Sequence, residues 1–230
     1  KLFGDDLDVT GSLADELVFE PQEGGITIVC TDPNVPAGAS NLAYRAAELL
    51  QRHPESCRGV SMRVTKRVPV AAGLAGGSAN GAATLVALNQ LWGLGWSAAR
   101  LAQLALELGS DVPYCLQGGT MAARGRGEEL FLLPRLPRTW LVLLHPPIPI
   151  STREVYESPQ LLGSTERSFA GKTLSFRRAI RAMKVPDWPA VVFNRMEPVV
   201  FSKWPQLADA KRQLVEAGCL AAGMTGTGPT

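Results

Sequence analysis

Long apolar runs are missing from this sequence of 230 residues. Hydrophobic residues make up 46% of it, yet no run reaches the ~18–20 residues needed to cross a bilayer. No signal-peptide pattern follows Lys1. An excess of one charge is missing too: the formal net charge is +2 with 19% charged residues, so nothing calls for nucleic acid or an acidic membrane as partner. Cysteine is sparse. Cys30, Cys57, Cys115 and Cys219 stand far apart without a Cys-x-x-Cys, which argues against a disulfide framework and fits a reducing compartment. The two histidines, His53 and His145, share no ligand spacing with them, so no zinc site is read and no metal ligand is assigned. Repeats and low-complexity tracts are absent as well. The length allows one large domain or two small ones.

What the sequence does have is a stretch of small residues between a strand pattern and a helix pattern. It reads Pro69-Val70-Ala71-Ala72-Gly73-Leu74-Ala75-Gly76-Gly77-Ser78-Ala79-Asn80-Gly81. Leu85, Leu88 and Trp92 follow at helical spacing. Small residues let a backbone close on a ligand, and the N–H groups of a helix's first turn, with its dipole, favour an anion there. The stretch therefore reads as a phosphate cradle or as a tight packing loop; composition alone does not choose. It is neither a Walker A loop, lacking Gly-Lys-Ser/Thr, nor a Gly-x-Gly-x-x-Gly fingerprint.

The surrounding elements alternate between strand and helix. Strands are expected at 17–20 and 26–30, and a helix capped by Ser40 runs to about Arg52. Gly59 to Lys66 alternates Val60, Met62 and Val64 with polar neighbours, the pattern of a half-buried strand. Ser97 caps a second helix with Leu101, Leu104, Ala105 and Leu108 on its apolar face and Gly109 beyond its end. Asp111 falls on an irregular corner, because Val112 precedes Pro113. A hairpin is expected from 121 to 132, and a buried strand from Thr139 to Leu144. Helices are expected at 172–183 and 205–217. The prolines between 134 and 138 mark the expected boundary between domains 1–135 and 136–230. Asp5, Asp6 and Asp8 read as a solvated acidic turn.

Asp111 is the candidate base. A phosphoryl acceptor needs a carboxylate to take its hydroxyl proton, and Asp111 would meet that need or merely cap its turn.

The order of these features resembles the GHMP kinases. Pro69 to Ala83 is similar to that family's ATP loop, with Ala71, Ala79 and Gly81 standing where Gly, Ser and Ala are usual. Gly109-Ser110-Asp111-Val112-Pro113 reproduces its catalytic Asp motif. Ser40-Asn41-Leu42 and Lys66 match positions around the adenosine half of the nucleotide; a helix cap and a solvated charge are their alternatives. Gly125-Arg126-Gly127-Glu128 and Asn194-Arg195-Met196-Glu197-Pro198 match segments of structural meaning. Ser151 to Tyr156 matches an acceptor segment in which Thr152 would bind the substrate or cap a helix. Thr225-Gly226-Thr227-Gly228 matches the third family motif.

The resemblance, from about Leu17 to Thr230, implies an α+β fold: a ribosomal S5 domain 2-like N-terminal domain and a ferredoxin-like C-terminal domain. It implies ATP held by residues 69–79 with Asn41, Leu42 and Lys66, Mg²⁺ with Ser78 as a candidate ligand, and Asp111 as the base. The double glycine before Ser78 and Leu88-Asn89 point to the branch that phosphorylates the 2-hydroxyl of 4-diphosphocytidyl-2-C-methyl-D-erythritol in non-mevalonate isoprenoid biosynthesis. The alternatives are a homoserine- or mevalonate-type kinase, or a non-catalytic nucleotide- or metabolite-binding relative. A monomer or weak homodimer in a bacterial cytoplasm is implied; a plastid location would require a transit peptide ahead of Lys1. The family's opening Pro-Ala-Lys-Ile-Asn-Leu strand, its catalytic lysine and the Tyr- and His-bearing segment after it have no counterpart. Neither has the strand after Gly228, so the chain is expected to be a fragment, and Lys1 is not given the lysine's role.

Overall fold

The structure is a computed structural model describing residues 13–53, 58–125, 127, 129–135, 139–159 and 188–230. The expected acidic turn, Cys57, Arg126, Glu128 and the helix at 172–183 lie outside the described residues, as do 136–138 of the expected boundary. The chain divides into two compact units. One holds 1–70 and 75–132, the other 71–74 and 133–230. The loop of small residues is thus shared by sequence between them.

In the first unit, β1 (Glu16–Gln22), β2 (Ile26–Cys30) and β3 (Gly59–Thr65) form a sheet in the order β1-β3-β2. β1 runs antiparallel to β3, and β2 runs parallel to it. A parallel pair needs a crossover, supplied by α1 (Leu42–Gln51). The pleat sorts side chains as the alternation in β3 requires. Phe19, Met62 and Ile28 share one row toward the core, whereas Val18, Arg63 and Val29 share a row facing out. Two further helices, α2 (Gly76–Leu91) and α3 (Ala98–Leu108), bury Leu85 and Leu88, and Leu101, Leu104, Ala105 and Leu108, against that face. Ser97 caps α3 by accepting from the Arg100 N–H, and Gly109 follows its last residue, as expected. A short α4 (Val112–Gln117) packs on α2 and α3, and β4 (Met121–Arg124) pairs with β5 (Glu129–Leu132) in a hairpin.

The second unit has its own small core of Ile150, Val155, Val199, Val200, Leu207 and Met224. Its described helices are α5 (Thr152–Tyr156), α6 (Trp188–Val191), α7 (Glu197–Lys203) and α8 (Pro205–Glu216). Among the described residues no helix is long and apolar enough to cross a membrane.

Four expectations are corrected. The cap of α1 is Asn41, not Ser40: the Asn41 amide oxygen accepts from the Ala43 N–H at 2.9 Å. α2 begins at Gly76, inside the glycine stretch rather than after it, because Ala75 takes the left-handed turn (φ 55°) that feeds the chain into the helix. Asp111 sits at the N-cap of α4, since a proline in the first turn of a helix forfeits only an N–H that has no intrahelical acceptor. Finally, 139–144 is irregular and open to solvent, with Trp140 88% exposed. An apolar run forms a strand only beside a partner strand, and among the described residues β4 and β5 pair with each other alone.

The core reading is testable on one helix. Leu85 is fully buried and Val86, its neighbour, is 47% exposed. Leu85→Ala is expected to cost about 2–5 kcal/mol of unfolding free energy, and Val86→Ala no more than about 0.5 kcal/mol. Urea unfolding of both variants, followed by circular dichroism, measures the contrast.

Candidate active site

The glycine stretch makes its offer through backbone rather than side chains. The first intrahelical bond of α2 runs from the Ala79 N–H to the Ala75 carbonyl at 2.9 Å. Among the described residues, no acceptor meets the N–H groups of Gly76, Gly77 or Ser78. No side chain caps this end. Three donors are thus left at the positive end of a 16-residue helix, the end at which backbone geometry and dipole favour an anion. The two glycines serve different ends. A Cβ on Gly77 would find only Leu42 Cδ1, at 3.8 Å. One on Gly76 would stand 3.0 Å from Val68 Cγ1 and 3.2 Å from Lys66 Nζ. Gly76 is therefore closely fitted, and a side chain there would need Val68 and Lys66 to give by a few tenths of an ångström.

Beneath that first turn lies a buried charge that no motif marked. The Asp15 and Lys66 side chains are only 2% and 8% exposed and pair at 2.7 Å. Asp15 also accepts from the Arg67 and Val68 N–H groups at 2.8 Å each and from Asn80 Nδ2 at 2.9 Å. Lys66 donates to the Val68 carbonyl as well. Burial alone would push the Asp15 carboxyl up, but the hydrogen bonds from Lys66, Arg67, Val68 and Asn80 outweigh it and hold it below its usual value. Lys66 is thus neither a solvated charge nor an unpaired one. Asn41 is likewise occupied: it caps α1 and donates to the Pro36 carbonyl at 2.8 Å. Leu42 lines the turn beside Gly77 and packs at the edge of the core.

Asp111 stands at the N-cap of α4, and its carboxylate makes no capping hydrogen bond to that helix. The loop that carries it is braced by the hairpin tip. Gly127, at φ +119°, lies so close that a Cβ there would come 2.9 Å from the Ser110 carbonyl oxygen.

In the second unit, residues 71–74 are tied to the third motif. Thr225 Oγ1 donates to the Gly73 carbonyl at 3.1 Å, and a Cβ on Gly73 (φ +73°) would collide with the Thr225 carbonyl. The Asn194 amide donates to the Met224 and Gly226 carbonyls at 2.7 and 2.6 Å. Glu197 accepts from the Met224 N–H at 2.9 Å and pairs with Lys211 at 2.7 Å. Thr152 Oγ1 lies 3.0 Å from Thr227 Oγ1, and the cap of α5 is Ser151. In the first unit the structure brings together Leu42, Lys66 and residues 76–80, and puts Asp111 on a helix packed against α2. In the second it brings together residues 71–74, Thr225, Thr227 and Thr152. Among the described residues, no cluster of three or more His, Cys, Asp or Glu side chains is placed to hold a metal.

Sequence reasoning missed Asp15. A lone aspartate before a strand carries no spacing signal; its only trace was the Lys66 that needs a counter-charge.

Comparison with known proteins fits this geometry. Residues 41–119 match the family model described as the GHMP kinases N terminal domain, and 170–230 the GHMP kinases C terminal. A 4-diphosphocytidyl-2-C-methyl-D-erythritol kinase of Pelotomaculum thermopropionicum is 45% identical over 95% of this chain and 75% of its own length. Its counterpart in Geobacillus kaustophilus is 44% identical over 96% and 76%. A crystal structure of 4-(cytidine 5'-diphospho)-2C-methyl-D-erythritol kinase aligns with a TM-score of 0.72 and 31% identity over 95% of this chain and 75% of that one. Homoserine kinase from Cytophaga hutchinsonii aligns at 0.74, with 21% identity over 94% and 74%, a likeness of fold alone. The chain belongs to the GHMP kinase family. Its α+β fold and its class, a small-molecule kinase using ATP, follow from that membership.

The buried pair gives a pH test. A carboxylate held below its unfolded value of 3.8 contributes stability that is fully present above that pH and is lost as pH falls through the lower folded value. Asp15→Asn leaves Lys66 without its counter-charge, an expected cost of about 3–5 kcal/mol near neutral pH. That gap between parent and variant should narrow as pH drops below 3.8, as read from urea unfolding across the acid range.

Proposed function

We propose that this chain transfers the γ-phosphoryl group of ATP to the 2-hydroxyl of 4-diphosphocytidyl-2-C-methyl-D-erythritol, a step of non-mevalonate isoprenoid biosynthesis. The observation that carries it is the match across about 95% of the chain to relatives bearing that name. The homoserine-kinase likeness extends to fold only, which disfavours that alternative.

The N–H groups of Gly76, Gly77 and Ser78 are the proposed phosphate donors, in a loop running from Pro69 to Ala79. Asn41 and Leu42 border the adenosine side. Lys66 acts by position beneath the turn, because its ammonium is paired with Asp15. Asp111 is the proposed base. The acceptor oxygen bonds to the γ-phosphorus, the bond to the ADP oxygen breaks, and the hydroxyl proton passes to the Asp111 carboxylate. Thr152 is proposed to face the acceptor. Mg²⁺, when bound, neutralises phosphate charge. The Ser78 hydroxyl is the protein group that would help to hold it, beside phosphate and water oxygens. Domain limits near residue 135, a monomer or weak homodimer, and a bacterial cytoplasmic location complete the proposal.

Asp111→Asn tests the mechanism. The amide keeps the size of the carboxylate but takes no proton. Turnover is expected to fall at least about 10²-fold, the lower range for general-base catalysis. Nucleotide affinity should stay within roughly twofold, a change of under ~0.5 kcal/mol. Steady-state kinetics and calorimetric ADP titration measure the two. A variant with more than about a tenth of the parent rate would leave the reaction without its base.

A further inference from the structure

Asp15 lies ahead of both family-matched segments, 41–119 and 170–230, and none of the roles above needs it. Its side chain is 2% exposed, so it has no direct access to a ligand in solvent. What it does is geometric. Its four donors come from the two ends of one loop. Lys66 Nζ and the N–H groups of Arg67 and Val68 belong to the entry, and Asn80 Nδ2 belongs to the helix into which the loop runs. One carboxylate therefore fastens the chain on either side of residues 69–79. A carboxylate has about four lone-pair positions, so these four donors saturate this one. Lys66 is held directly under Gly76, where a Cβ would stand 3.2 Å from its Nζ. The first turn of α2, with its unpaired N–H groups, is thus fixed before any ligand arrives.

We propose that Asp15 is a positioning residue for nucleotide binding: by holding both ends of the 69–79 loop to one carboxylate, it presets the α2 N–H groups for phosphate. The proposal rests on the phosphate-cradle reading above. Preset donors bind more tightly than donors that must be ordered on binding, because the ordering cost has already been met in folding.

The test uses ADP as probe and the full chain. Calorimetric titration gives the nucleotide Kd, hydrogen exchange reads the amides of residues 76–78, and thermal unfolding is followed separately. The parent is expected to protect those amides when ADP is added. Asp15→Asn is expected to bind ADP at least about tenfold more weakly and to exchange those amides faster even without ligand. Asn80→Ala removes one of the four donors and spares the ion pair. It is expected to weaken ADP at least about threefold at a smaller cost in melting temperature, and it decides the matter alone if Asp15→Asn does not fold. A role in stability only would lower the melting temperature of each folded variant and leave its Kd within roughly twofold of the parent; that result overturns the proposal. If ADP leaves amides 76–78 of the parent unprotected, the cradle reading itself fails and the proposal falls with it.

Discussion

The start of α2 is the constraint on which the rest turns. A helix that begins without a capping side chain leaves its first backbone donors to be met by water or by a ligand. Ala75 adds a cost by sitting in the left-handed region at φ 55°, where a Cβ is unfavourable by roughly 1–2 kcal/mol. Ala71 does the same at φ 54°. The surrounding structure is arranged to hold this unfavourable segment in place. Asp15 grips its flanks within the first unit. Thr225 grips residue 73 within the second.

The anchors differ in physical kind. Asp15 is a buried charge whose removal strands another, so it acts through electrostatics and desolvation. The Thr225-Gly226-Thr227-Gly228 turn is held by neutral amide and hydroxyl contacts, from Asn194 and Thr152, with Glu197 taking the preceding N–H and sharing its charge with Lys211. The Asn194 to Pro198 segment, read from the sequence as structural, is the brace of the third motif. That brace explains why Asn and Glu are needed there. Asn supplies two donors to two carbonyls and accepts from the Met196 N–H, and the carboxylate bridges a backbone N–H and an ammonium.

Elements with a strong period were legible in the sequence. The alternation of Val60, Met62 and Val64 gave β3 and its buried face, and the spacing of Leu101, Leu104 and Leu108 between Ser97 and Gly109 gave α3 with both ends. The loop was legible as a candidate phosphate site because glycine and alanine permit what larger residues forbid. Its helix start was not, since nothing in Ala75 or Gly76 signals a helix entry through left-handed backbone. The cap of α1 was assigned to Ser40 because serine caps as well as asparagine in principle, whereas the Asn41 side chain is held in place by donating to the Pro36 carbonyl. The 139–144 run failed as a strand because apolar sequence specifies burial without naming a partner. Asp15 was invisible because its worth comes entirely from donors 51 to 65 residues away.

Relatives across about 95% of the chain assign this GHMP kinase a cytidine-diphosphate-linked sugar alcohol as acceptor. The most direct measurement incubates the full chain with ATP and Mg²⁺, separately with 4-diphosphocytidyl-2-C-methyl-D-erythritol, homoserine and mevalonate. ADP release is followed, and any product is examined by phosphorus NMR. The expected result is turnover of the cytidyl substrate in clear preference to the other two, with one new phosphomonoester signal at its 2-position. Faster turnover of homoserine or mevalonate, or phosphorylation at another hydroxyl, would contradict the assignment.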